Sequence, residues 1–178
     1  MQEYVTEAVV LAKEPLRDFD ARYSFFTKRF GKLKGKATSA RKITSKLAGH
    51  LEPGTLAKVR FVERNGRNGN GVQIADALKY GKLAALLTDL HFLNKMLSEG
   101  EPDAALWNEL TREHKEERFP WGSALRILGW DPQEAVCEEC SKGRKAAAFY
   151  IPKQEFFCVV CASKLDRDEL LLLDNAEV

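Results

Sequence analysis

All four cysteines of the 178-residue chain fall in two Cys-x-x-Cys pairs, Cys137/Cys140 and Cys158/Cys161, with 17 residues between the pairs. A Cys-x-x-Cys turn offers two thiolates to neighbouring corners of one tetrahedron, so two such turns brought together make a zinc-ribbon-like site. The intervening AAAFYIPKQEFFC reads as a β-hairpin turning at IPKQ, which returns the second pair onto the first. Gly143 gives the first knuckle the backbone freedom that a tight turn needs. Four thiolates leave no open coordination position, so the expected zinc is structural. It would fasten residues 134–165, which hold too little apolar mass to fold unaided. The competing chemistry is a redox dithiol. That needs a single pair opening a helix after a buried strand, and neither pair reads that way.

The second chemical feature is charge. From Thr27 to Leu51 the chain carries eight cations, Lys28, Arg29, Lys32, Lys34, Lys36, Arg41, Lys42 and Lys46, and no Asp or Glu. Such a stretch holds a standing positive potential whose natural partner is a polyanion, although many charge runs are only solvated faces. The whole chain is polarised in the same sense. Residues 1–71 hold 15 Lys/Arg and 7 Asp/Glu, whereas residues 72–178 hold 13 and 19. Lys32, Lys34 and Lys36 are two residues apart, so on a strand their ammonium groups share one face. Phe25, Phe26 and Phe30 begin the stretch. Phe25 and Phe30 are candidates for stacking on bases, and Phe26 is assigned to the core.

These residues need a scaffold. YVTEAVVLA (4–12) reads as a strand, KEPLRDFDA as a loop, and YSFFTKR and KLKGKATS as a hairpin turning at Phe30-Gly31. TSARKITSKLAGHL reads as a loop entering a short helix capped by Ser45. LEPGTLAKVRFVER is a further strand, NGRNGNG a flexible turn, and VQIADALKY the last strand. Five short strands with one short helix before the fourth suit a small barrel of the oligonucleotide-binding (OB-fold) type over residues 1–80. From about Lys79 the apolar period changes to three and four through Leu83, Leu86, Leu87, Leu90, Leu93 and Leu97, predicting a helix that ends at Gly100. A second helix opens at Pro102-Asp103 and a third is WGSALRILGW, with Trp107, Trp121 and Trp130 as the core of a helical layer. The expected class is α+β, a five-stranded OB-fold barrel followed over residues 81–178 by a small helical domain carrying the four-cysteine site.

Enzymatic signatures are absent from the sequence. GRNGNG lacks the Lys-Ser/Thr of a phosphate loop, and no nucleophile stands beside a recognisable base. His50, His91 and His114 read as surface or core-edge residues. No apolar run reaches membrane-spanning length, and LLLL at 170–173 is far too short. MQEYVTEAVV has no basic segment leading into an apolar one, so the expected location is cytoplasmic, where thiols stay reduced.

The strings TEAVVLAKEPLRDFDARYSFFTKRFGKLKGKATSARKITSKLAGHLEP, RILGWDPQEAVCEEC and AAFYIPKQEFFCVVC resemble the bacterial recombination mediator family RecO. The likeness rests on Asp20 at the end of the first loop, on Phe-Thr and Gly-Lys-Leu in the hairpin, and on Ala40 to Lys42, Ser45 to Ala48 and Leu51 to Pro53. It also includes the turn after the third helix and the cysteine knuckles. It covers most of the chain, weakly only between about 65 and 118. The resemblance implies an OB-fold, a helical domain, a zinc site and a role in recombinational repair without turnover. It also implies binding and annealing of single- and double-stranded DNA, and partnership with RecR and the single-stranded-DNA-binding protein in loading RecA. Ser39 stands where the family usually has Gly, and Gln154 and Glu155 stand where a Gly pair is common. Only 17 residues follow Cys161, so a shortened helical domain is expected. The rival expectation is a protein-interaction adaptor whose basic barrel docks an acidic partner tail. A thiol oxidoreductase is a third.

Overall fold

The computed structural model describes residues 2–66, 69–112, 119–140 and 143–173. The chain divides into two units, one mainly Met1–Trp107 and the other mainly Phe119–Val178. In the first, alternating apolar residues build β1 (Gln2–Pro15), β2 (Ala21–Thr27), β3 (Gly31–Ala37), β4 (Thr55–Gly66) and β5 (Gly69–Lys82). They close into a barrel in the order β1-β2-β3-β5-β4. Neighbours pair antiparallel except at the closing seam, where Lys36 of β3 lies parallel to Gln73 of β5. A five-stranded Greek-key barrel of this kind is the OB-fold, whose usual ligand surface is the second and third strands with the loops after the first and fourth.

Period two decides which side chains fill the barrel. Val10, Tyr23, Phe25, Val59, Phe61 and Ile74 point inward and are buried together, with the Phe25 and Phe61 rings edge to face at 5.3 Å. Phe25 therefore has no surface to offer a base, and its expected stacking role is corrected. Phe26 is buried as expected, but on the outer face of β2, where its ring lies 5.9 Å from Trp107. Trp107 thus belongs with the barrel and not with a separate helical core.

The strand signal outlasts the expected boundary at residue 80. β5 runs to Lys82, opposite Thr55, and Leu83 N–H still donates to Gly54 O at 2.8 Å. The helix predicted from Lys79 begins only at α1 (Leu87–Met96), after Leu86, whose N–H donates to Asp89 Oδ2 at 2.8 Å. Sheet pairing wins over the helical period through Leu83. α2 (Ala104–Thr111) starts where predicted, with Asp103 Oδ1 accepting from Leu106 N–H at 2.9 Å. The helix expected of Ser45 is a single 3-10 turn at Ala48–His50 entered through Leu47, and Ser45 Oγ accepts from Leu47 N–H instead of capping. His114 and the centre of the 65–71 turn lie outside the described residues.

The second unit contains α3 (Trp121–Ile127), β6 (Ala148–Tyr150), β7 (Glu155–Phe157), α4 (Val159–Ala162) and β8 (Leu170–Leu172). The hairpin turning at IPKQ forms as β6–β7, and β8 adds to its other side, giving the order β7-β6-β8. β8 thus extends the expected hairpin into a three-stranded sheet, an addition to the small helical domain expected over residues 81–178. Trp130 and Phe156 both pack on Phe149, at 5.3 and 5.0 Å.

Two residues that stand in place of an expected glycine take up left-handed backbone, Ser39 at φ 55 and Gln154 at φ 57. That conformation costs an L-residue roughly 1–2 kcal/mol, against the roughly 0.5–1 kcal/mol of unfolded-chain entropy that glycine adds. Gln154→Gly is accordingly expected to stabilise the protein by about 0.5–1 kcal/mol. A urea midpoint for Gln154→Gly no higher than wild type would show that the turn is unstrained.

Candidate nucleic-acid interface and metal centre

The four cysteine sulfurs all lie within 4.8 Å of one another, and all four are free thiols. Cys140 Sγ and Cys158 Sγ are 3.7 Å apart. A sulfur tetrahedron around zinc at ~2.3 Å has edges of about 3.8 Å, whereas a disulfide needs ~2.05 Å. The donor set and its spacing therefore fit a tetrahedral metal ion. Main-chain bonds position the knuckles: Cys137 N–H donates to Arg144 O at 2.9 Å, and Glu138 N–H to Phe156 O of β7 at 3.0 Å. Gly143, at φ 58, makes the reversal between them.

The second pair sits where β7 runs into α4, with Cys158 at the helix start. A strand-to-helix junction is the setting denied to both pairs on sequence grounds, and that reading is corrected. The backbone N–H of Cys161 lowers the Cys158 thiol to about 6, against the effect of burial. Burial raises Cys137, yet the backbone N–H groups of Cys158, Cys140 and Glu139 bring it below its ordinary value. Burial raises Cys140, and raises Cys161 to about 12. One thiol of each knuckle is thus held below its ordinary pKa, and a divalent cation would favour the thiolate form of all four. Convergence of all four sulfurs is what a metal site needs, whereas a redox dithiol needs one pair.

The lysine ladder does share one face of β3, where Lys32, Lys34 and Lys36 stand opposite Phe26, Ser24 and Arg22 of β2. Its charges are spent within the chain. Lys32 Nζ donates to the carbonyls of Asn94 and Leu97 at the end of α1, and burial lowers its pKa. A cation there satisfies orphan carbonyls and the negative end of the helix dipole. Lys34 pairs with Glu99 at 2.6 Å, Lys36 with Asp20 at 2.7 Å and Lys28 with Glu7 at 2.6 Å. Arg29 is exposed, its guanidinium 5.3 Å from the Phe30 ring, and Phe30 itself leans on Tyr4 at 4.6 Å.

The open cationic surface lies instead at one end of the barrel, where the β1–β2 loop meets the segment after β3. Asp20 joins them: its carboxylate accepts from Lys36 Nζ and from Ser39 N–H (2.8 Å), which together hold it below the usual carboxylate range. Arg41 N–H donates to Phe19 O at 2.9 Å, and its guanidinium reaches the carbonyls of Leu16 (3.1 Å) and Asp18 (3.3 Å). Phe19 is left 53% exposed, with Lys42 Nζ 5.6 Å from its ring centre. Arg17, Arg22, Lys42 and Lys46 are exposed, as is Ile43. A hollow of ≈ 470 Å³ is lined by Lys13, Pro15, Ala21, Ala40, Arg41, Lys42, Ile43 and Ala48. Of the predicted cations, Arg41, Lys42 and Lys46 belong to this end, with Lys36 at its edge. Sequence reasoning missed Phe19, Arg17 and Arg22. The available signal was an aromatic flanked by Asp18 and Asp20 in a polar loop.

Residues 1–80 match the family model for the recombination protein O N-terminal domain. The DNA repair protein RecO of Thermodesulfovibrio yellowstonii is 29% identical across 90% of this chain and 70% of its own length. That of Koribacter versatilis is 29% identical across 89% and 71%, and that of Geobacter sulfurreducens 30% across 75% and 62%.

Proposed function

We propose that the chain, whose residues 1–80 match the N-terminal domain of recombination protein O and which is similar to DNA repair proteins RecO over most of its length, is a RecO-type, non-catalytic, sequence-independent DNA-binding protein of recombinational repair. The observation that carries this reading is the end of the OB-fold barrel where exposed Phe19 lies beside Lys42 and Arg41, with exposed Arg17, Arg22 and Lys46 on the segments that flank them. The cations would neutralise backbone phosphates, and counterion release would drive binding whatever the base sequence. Phe19 offers a stacking platform that any base fits. Two strands held by their backbones, with base edges free, can pair, which is the proposed basis of annealing. Family resemblance supplies the remainder: single- and double-stranded DNA as ligands, RecR-like and single-stranded-DNA-binding proteins as partners, RecA loading as the outcome and the nucleoid as the location. The four-cysteine site, with zinc as the proposed ion, supports shape alone. No helix among the described residues is long and apolar enough to cross a membrane.

The test is fluorescence anisotropy of a labelled oligonucleotide across a salt series. With three to five phosphate contacts, log affinity should fall against log salt with a slope of roughly −2 to −3.5 for single strands. An affinity indifferent to salt would contradict the proposal.

A further inference from the structure

The outer face of β2–β3 is the usual ligand surface of this fold, yet here one end of it is occupied by the chain itself. Main-chain bonds lay residues 98–101 (SEGE) along β3: Lys32 and Glu99 form a parallel bridge, and Gly100 N–H donates to Lys32 O at 3.0 Å. The approach is close enough to need a glycine below it. A Cβ on Gly31, at φ +65, would collide with the Glu101 backbone. Upstream, Lys32 Nζ grips the end of α1, and downstream Trp107 covers Phe26. The strap is therefore fixed at both ends. Between those ends Glu99 reaches Lys34 at 2.6 Å, and this contact is open to water, the side chains being 58% and 50% exposed.

We propose that Glu99 is a built-in phosphate mimic, an acidic side chain held over the second and third strands that competes with nucleic acid for Lys34. The inference rests on the reading of the barrel as a DNA binder and adds a regulation to it. The geometry separates the ladder into unlike parts. Lys32 is committed to the helix end and partly buried, so its loss damages the fold. Among the described residues Lys34 is held by an exposed ion pair, which water and salt weaken readily, and a phosphate backbone can replace one carboxylate by another anion of higher charge density. DNA gripped at the Phe19 end would extend along β3 only by displacing Glu99. The strap thus limits the footprint until a long or tightly held strand is present.

The test uses the full chain and the same labelled oligonucleotide. Glu99→Gln should tighten single-strand binding about two- to fivefold at low salt, the equivalent of one exposed ion pair. Lys34→Gln should change wild-type affinity little and should abolish the gain when added to Glu99→Gln. Glu3→Gln, which removes the same charge from the Arg60 pair on β1 and β4, is the control for net charge and should give a smaller gain. Equal affinities of wild type and Glu99→Gln overturn the inference, as does an equal gain from Glu3→Gln. So does a Lys34→Gln effect that is the same in both backgrounds. If wild type binds no oligonucleotide, the DNA reading itself falls, an outcome distinct from these three.

Discussion

Stripping the metal, or replacing Cys158 by Ser, is expected to melt the second unit while the barrel stays folded. Its three strands are three residues each, too short to stand without a further constraint. The core around the tetrad is small, holding Ala148, Phe157, Ala162 and Leu170 besides the cysteines. A structural zinc site contributes roughly 10–16 kcal/mol of apparent binding free energy at neutral pH, which in such domains is folding free energy. The first unit keeps its own core around Phe25 and Phe61 and holds none of the ligands. Elemental analysis should give one zinc per chain. Chelation should remove the near-ultraviolet signal of Trp121 and Trp130 and leave a separate, cooperative barrel transition. Because protons compete with the metal for thiolates, release should also occur as pH falls. Identical melting of chelated and native protein would mean that the tetrad carries no structural ion.

Much of the scaffold was legible because its signals are local. Alternation in YVTEAVVLA and VRFVER, the Phe30-Gly31 turn and the two cysteine pairs each specify geometry within a few residues. Long-range pairing was not legible. β8 is an unbroken Leu run, which period cannot assign to strand or helix, and its register with β6 depends on residues far back in the chain. Leu83 fits a helical stripe but is held extended by Gly54 on the far side of a hairpin. The same limit governs the site. Alternation correctly set Lys32, Lys34 and Lys36 on one face, yet it says nothing of what covers that face. Carboxylates at Asp20 and Glu99 and the carbonyls of Asn94 and Leu97 come from elsewhere in the chain. Alternation also fixes Phe25 and Phe26 on opposite sides of β2 without saying that both sides are buried. Phe19 became visible only when two loops were seen to meet.

The grip on DNA should be lost when the loop end of the barrel is changed. Arg17, Lys42 and Lys46 are exposed there, so reversing them leaves the barrel core untouched. Each reversal removes one attraction to phosphate and adds one repulsion, worth about 1 kcal/mol apiece in high-dielectric surroundings at contact distance. With screening and imperfect contact, about half of that total, roughly 3 kcal/mol, survives for the three together, which is a loss of about 100-fold. Phe19→Ala should act differently, weakening binding by about 1–3 kcal/mol without altering the salt slope, because stacking releases no counterions. The most direct measurement is therefore the affinity of Arg17→Glu/Lys42→Glu/Lys46→Glu for a single-stranded oligonucleotide across a salt series. The account predicts the 100-fold loss at low salt and a slope shallower by about 2. Wild-type affinity and slope in that variant would contradict it.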